Sequence, residues 1–228
     1  VEWLLEQKEI GAFDVLKRYL EDDKTDAWDK TGILRTYIKH DLKRAKELAP
    51  PFLKHKEAGL RLAAALIVFQ TGDKSEPRKV LGDSLATGSV DGWLADAVEL
   101  LLKDDASESK EAVRRVFTNR ALRHERESSR QRILRACATA GMKEPYEFYL
   151  PLLDIKATEL PHLNEKGEPS GASYFEPSVA EAFTKEIVSS FAPDDPGIKE
   201  IVRKHPKTAD QVPKVKQWAI ARLDALKK

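Results

Sequence analysis

The sequence predicts an all-α chain, an α-α superhelix (solenoid) of about five irregular antiparallel helical pairs, on three observations. Residues 59–73 read Gly-Leu-Arg-Leu-Ala-Ala-Ala-Leu-Ile-Val-Phe-Gln-Thr-Gly-Asp, a helix apolar on nearly every face. Such a helix must be covered on both sides, which places it inside a layered array. Looser relatives of the segment recur downstream at intervals of about 30 to 50 residues, the spacing of stacked helical pairs. Runs of alternating apolar and polar residues are absent, so no strands are expected.

The elements follow from the N-terminal side onward. Residues 2–8 read as the end of one helix, Gly11 as a turn, and Phe13, Leu16, Tyr19 and Leu20 as the apolar stripe of the next. Residues 26–39 form a helix carrying Trp28, Ile33, Leu34, Tyr37 and Ile38, and Pro50-Pro51 mark an irregular connector to the apolar helix. After the turn at Gly72-Asp73 come helices over 76–86, stopped by Gly88, then 91–103 and 109–122. A further pair occupies 128–140 and 145–153 around Gly141. Residues 155–175, with Pro161, Asn164, Gly167, Pro169 and Gly171, are too polar and punctuated for a helix and read as a long loop insertion. Tyr146, Phe148, Tyr149, Tyr174 and Phe175 would clamp its ends if it is ordered. Helices resume over 177–191 and 197–205, and a last one runs from Val215. The whole of 1–228 is taken as a single helical-repeat domain.

Composition narrows the function classes. With 41% hydrophobic and 34% charged residues the chain has enough apolar side chains for a core and a densely charged outside. A net charge of +1 gives no global attraction to nucleic acid or anionic membrane, so any such binding must be local. The longest apolar run, 60–69 broken by Arg61, falls short of the roughly 20 residues a membrane span needs. Cys137, the single cysteine, cannot form an internal disulfide and reads as a buried structural residue beside Ile133 and Ala140. The chain begins at Val1 inside an amphipathic pattern, which suggests a trimmed leader. The compartment stays open between cytoplasm and export after leader removal.

Arg61 and Ala64, the small residues that follow, the Gly-Asp turn and the trailing Leu81 and Leu85 together resemble a HEAT-type repeat. Arg132, Ala136, Ala138 and Gly141 repeat the motif without the aspartate. The resemblance covers about residues 3–153 best and the remainder loosely. It implies a curved array whose groove binds another protein or a peptide, with no cofactor.

Three chemical patterns compete with that expectation. Gly82-Asp83-Ser84-Leu85, with Gly88, Gly92 and Trp93, looks like the first block of GDSL-type esterases, in which the serine is the acyl nucleophile. That chemistry needs the serine after a strand, oxyanion donors and a late Asp-x-x-His, and none accompanies it here, Asn119, Asn164 and His162 being wrongly set. Ser84 is therefore expected within a helix. His40, His55, His124, His162 and His205 lack the paired spacing of a metal site and read as surface residues, and no phosphate loop is present. HEAT-like alkylpurine DNA glycosylases are the enzyme alternative, with Trp93 and Asp96 cast as lesion-site residues, but the near-neutral charge argues against a duplex-binding groove.

The remaining feature is an arginine concentration at Arg114, Arg115, Arg120, Arg123, Arg126, Arg130, Arg132 and Arg135. A guanidinium fork suits carboxylates, so Arg120, Arg123, Arg126 and Arg130 are the candidate contact residues for an acidic partner. The competing reading is a solvated face paired to Glu111, Glu125 and Glu127, with Arg132 packed in the repeat ladder.

Overall fold

The computed structural model describes residues 10–72, 74–87, 93–104, 106–118, 122, 127–154 and 179–227. Among them the regular elements are twelve α-helices and one 3-10 helix, with no strand. The expected helix at 2–8, the Gly88 stop and the loop at 155–175 lie outside the described residues. The chain divides into two compact units, residues 1–124 and 125–228.

In the first unit α1 (Ile10–Glu21) and α2 (Ala27–His40) are followed by α3 (Leu42–Leu48), the 3-10 helix Pro50–Lys54, α4 (Ala58–Phe69), α5 (Ser75–Thr87), α6 (Leu94–Lys103) and α7 (Ser107–Thr118). Its centre is α4, where Leu60, Leu62, Ala63, Ala64, Ala65, Leu66, Ile67 and Phe69 are all buried. The helix is covered by α2, α3, the 3-10 helix, α5 and α6, as an element without a polar face requires. Arg61 escapes this core by turning its guanidinium back to the carbonyls of His55 (2.7 Å) and Lys56 (2.6 Å) ahead of the helix. Close packing of α5 on α7 depends on Gly82, where a Cβ would meet the Ala112 Cβ at 3.1 Å.

Local signals explain several boundaries. Asp26 starts α2 by accepting the Asp29 amide at 2.8 Å, and Asp41 starts α3 by accepting that of Arg44 at 3.1 Å. The stretch expected as an irregular connector is thus largely helical. Gly11, expected as a turn, lies inside α1, where its missing side chain lowers helix propensity but leaves room to spare.

A buried carboxylate ties α5 to the turn between α6 and α7. Asp104, 7% exposed at its side chain, receives Arg78 Nη2 at 2.8 Å, Ser109 Oγ at 2.8 Å and Lys74 Nζ. The Lys74 hydrogen bond, supported by those of Arg78 and Ser109 and opposed by burial, holds its carboxyl well below the usual carboxylate range. The stabilisation is therefore complete above the unfolded-state carboxylate pKa and disappears as pH falls below it toward the folded value. In acid thermal melts the wild type should lose stability steeply below the ordinary carboxylate range. Asp104→Asn should start less stable at neutral pH and show a shallower acid limb; parallel limbs would contradict this linkage.

The second unit comprises α8 (Glu127–Thr139), α9 (Glu144–Leu152), α10 (Val179–Phe191), α11 (Pro196–Lys204) and α12 (Thr208–Leu226). Helix α12 begins seven residues before the expected Val215 and carries Pro213 inside it. Tyr146, Phe191 and Trp218 form an aromatic cluster, with Tyr146 and Trp218 edge-on at 5.7 Å and Phe191 and Trp218 at 5.2 Å. Cys137 is fully buried, and burial pushes its thiol above its ordinary pKa.

Helix α8 ends in a Schellman motif: the Met142 amide donates to Cys137 O and the Gly141 amide to Ala138 O, both at 3.0 Å. Gly141 sits at φ +71°, with nothing within 4 Å of where a Cβ would stand. Gly141→Ala should therefore cost about 1 kcal/mol through backbone conformation alone. Chemical denaturation reads this directly, and an unchanged midpoint would contradict it.

Candidate functional site

Helix α2 positions a cleft on each of two sides. Its buried stripe, Lys30, Ile33, Leu34 and Tyr37, follows the three- and four-residue steps of one helical face. Tyr37 locks α2 to α1, donating its hydroxyl to Phe13 O at 2.7 Å while its ring lies 5.5 Å from that of Phe13. Burial pushes this phenol up to about 12, so it stays a proton donor at any physiological pH.

The first cleft is polar. About 220 Å³ in volume, it lies among α2, α4 and α6, with Gln70, Trp93, Asp96, Glu99 and Lys103 on its walls. The Trp93 ring is 6% exposed, and the Arg35 guanidinium stacks over it at 4.0 Å from the centroid. A cation on indole at this range contributes on the order of 1 kcal/mol. One indole face is therefore already taken by the protein's own arginine. The cleft offers an amide, two carboxylates and an ammonium around an aromatic wall.

The second cleft is apolar. It has a volume of about 560 Å³ and lies between α1 and α2, with Leu16, Tyr19, Trp28, Gly32 and Ile33 among its walls. Trp28 is 72% exposed and Tyr19 56%, the highest values among the large apolar side chains of the described residues. Trp28 reads in the sequence as part of the apolar content of α2, yet it falls off the buried stripe. Four and seven residues on from it stand Gly32 and Arg35, and that off-stripe register is the signal that distinguishes it.

The arginine concentration is distributed differently from a single face. Arg120, Arg123 and Arg126 lie outside the described residues. Arg130 is 9% exposed and lies in the interior of the second unit, its Nε 2.7 Å from Glu186 Oε1 and its Nη2 on Glu186 Oε2. Arg114 meets Glu111 at 2.8 Å, Arg115 meets Asp83 at 3.1 Å, and Arg135 meets Asp194. Arg132 also has an interaction partner.

The esterase-like segment is helical. Ser84, in α5, donates its hydroxyl to Val80 O at 2.9 Å, Asp83 faces Arg115, and Leu85 is fully buried. Trp93 and Asp96 do share the polar cleft. His40, His55 and His205 are half-buried, and His124 and His162 lie outside the described residues. Among the described residues no group of three or more His, Cys, Asp and Glu side chains could hold a metal ion, and no helix is long and apolar enough to cross a membrane. No family model matches the chain, and neither a curated protein nor a solved structure matches it.

Proposed function

We propose that this protein is a non-catalytic helical-repeat scaffold, a HEAT-type α-α solenoid that binds a protein or peptide partner through a groove. The packing order supports the reading. In the first unit α4 packs on α5, α2 on α4 and α5 on α7; in the second, α8 packs on α10 and α10 on α12, with α12 also folding back on α9. Contacts between neighbours and next neighbours are how stacked pairs bury faces that one pair leaves open.

The observation that carries the binding role is the polar cleft at Trp93. Donors and acceptors from α4 and α6 surround an aromatic wall stiffened by Arg35, an arrangement suited to the backbone and polar side chains of a peptide. A quantitative pull-down comparing wild type with Gln70→Ala/Lys103→Glu tests it. Partner recovery should fall with circular dichroism unchanged; equal recovery removes this cleft as the contact. A parallel arm with Arg120, Arg123 and Arg126 changed to Ala tests those arginines while leaving the Arg130–Glu186 pair intact. Duplex DNA should give no salt-sensitive mobility shift, and such a shift would favour the glycosylase reading instead.

A further inference from the structure

The large apolar side chains that the described residues leave exposed fall in two places: Val15, Tyr19 and Trp28 on α1 and α2, and Ile220 and Leu226 at the end of α12. Single exposed apolar residues need no explanation, but two groups confined to two sites do.

The two sites are both apolar and differ in the charges around them. The first is the apolar cleft of about 560 Å³ between α1 and α2. The turn at its edge, where Thr25 joins the lining, carries Asp22, Asp23 and Asp26, with Asp29 in the first turn of α2 and Lys24 as the counterweight. The carboxyl end of α1 adds its own partial negative charge there. The second site is a rod. Ile220, Leu223 and Leu226 follow one another at three-residue steps along the last turns of α12, where Leu223 is half-buried and nearly every other residue is exposed. Arg222 is held by Asp195, which leaves Lys227, in a loose exposed contact with Asp224 at 3.5 Å, as the cation beside them, with Lys228 next in sequence.

We propose that the end of α12 of one copy of this chain seats in the α1–α2 cleft of a second copy, joining chains head to tail. The apolar steps of the helix lie against Tyr19 and Trp28, and Lys227 exchanges its weak surface contact with Asp224 for the aspartate-rich turn. This is the helix-in-groove mode of recognition. Because the two surfaces differ, the contact is heterologous, and one cleft and one helix end are enough to join two copies.

Sedimentation velocity on the full chain over a concentration series tests this, with Trp28→Ser as the cleft variant and Ile220→Lys/Leu226→Lys as the helix variant. The wild type should associate as concentration rises, and this association should weaken with added salt. Each variant alone should be monomeric in the range where wild type associates, the Trp28 change weakening association by about 30-fold, the size of an interface hot spot. An equimolar mixture of the two variants should recover dimers and stop there, because one intact cleft meets one intact helix end. That recovery also establishes that both variants are folded. Asp23→Lys should weaken wild-type association independently of the apolar changes.

A wild type that stays monomeric at every concentration overturns the proposal. So does a helix variant that still associates alone, which would mean a symmetric contact through Trp28, or a variant mixture that stays monomeric. Partner recovery through the Trp93 cleft is read separately and stands or falls without it.

Discussion

Glu186→Ala should destabilise the protein by about 3 to 5 kcal/mol, because it leaves a buried guanidinium without its counter-charge. The Glu186 side chain is 3% exposed and that of Arg130 11%. Arg130 donates from Nε and Nη2 to the two oxygens of one carboxylate, the bidentate arrangement that a guanidinium makes best. Tyr149 Oη donates to the same carboxylate at 2.8 Å, and Phe183 lies beneath the guanidinium at 5.4 Å. Burial, with the Glu186 charge added, pushes the Tyr149 phenol well above its ordinary pKa, so it remains a donor. Urea denaturation should show the loss as a lower midpoint. Glu186→Gln keeps an acceptor for Tyr149 and should lose less than Ala while still losing stability. Arg130→Met/Glu186→Leu/Tyr149→Phe removes both charges together with the hydroxyl that would otherwise lose its acceptor, and should recover most of what Glu186→Ala loses, since a buried pair is often matched by apolar side chains of similar volume. A triple variant as unstable as Glu186→Ala would show that the pair itself, not the orphaned charge, supplies the stability.

That pair shows where sequence reasoning reached and where it stopped. The helices with strong apolar periodicity were legible: the segment of α4, the Asp26 start of α2 and the Gly141 stop of α8 each carry a local signal that tertiary packing reinforces. Helix α3 is seven residues long with one buried side chain, Ala45, and so has almost no periodic signal; its only mark is the Asp41 cap. The start of α12 was obscured by Pro213, although the buried Gln211, whose side chain donates to His205 O at 2.6 Å, shows why the chain is held there. The role of Arg130 depended on a partner 56 residues away, a distance no local pattern reports. A weaker signal was present. Arg130 stands three, four and seven residues before Ile133, Leu134 and Cys137, all fully buried, which puts it on the core face of α8 rather than on a solvent face.

The binding surfaces were less legible than the core for a related reason. Burial imposes a period on sequence, whereas exposure of an aromatic residue imposes none. Trp93 and Trp28 are both tryptophans in helical context, yet one is capped by Arg35 inside a polar cleft and the other stands in solvent. Only the assembled helices separate a wall of a site from an anchor for a partner. The arginine concentration illustrates the converse. Arg114, Arg115, Arg130 and Arg135 are engaged with Glu111, Asp83, Glu186 and Asp194, so residue type alone overstated how much positive charge is on offer there.

Phe69→Ala should cost about 3 to 5 kcal/mol, the range for truncating a buried aromatic residue. Phe69 is 2% exposed at the carboxyl end of α4, the most enclosed helix of the first unit, so neighbouring helices have little freedom to close the cavity. Its loss should also reach the electrostatics of the next element. Lys74 Nζ lies 5.3 Å and Arg78 Cζ 5.9 Å from the Phe69 ring centroid, and both cations converge on Asp104. The ring is the platform that holds these two side chains where the carboxylate can receive them. Groups that share partners in this way do not add: a double-mutant cycle of Phe69→Ala with Asp104→Asn should show a coupling of about 0.5 to 3 kcal/mol, the double variant losing less than the sum of the singles. Phe69→Leu retains most of the apolar volume but not the aromatic face, and should lose less stability while showing a reduced coupling to Asp104. If the cycle closes additively within about 0.5 kcal/mol, the ring fills space only, and the Asp104 network stands without it.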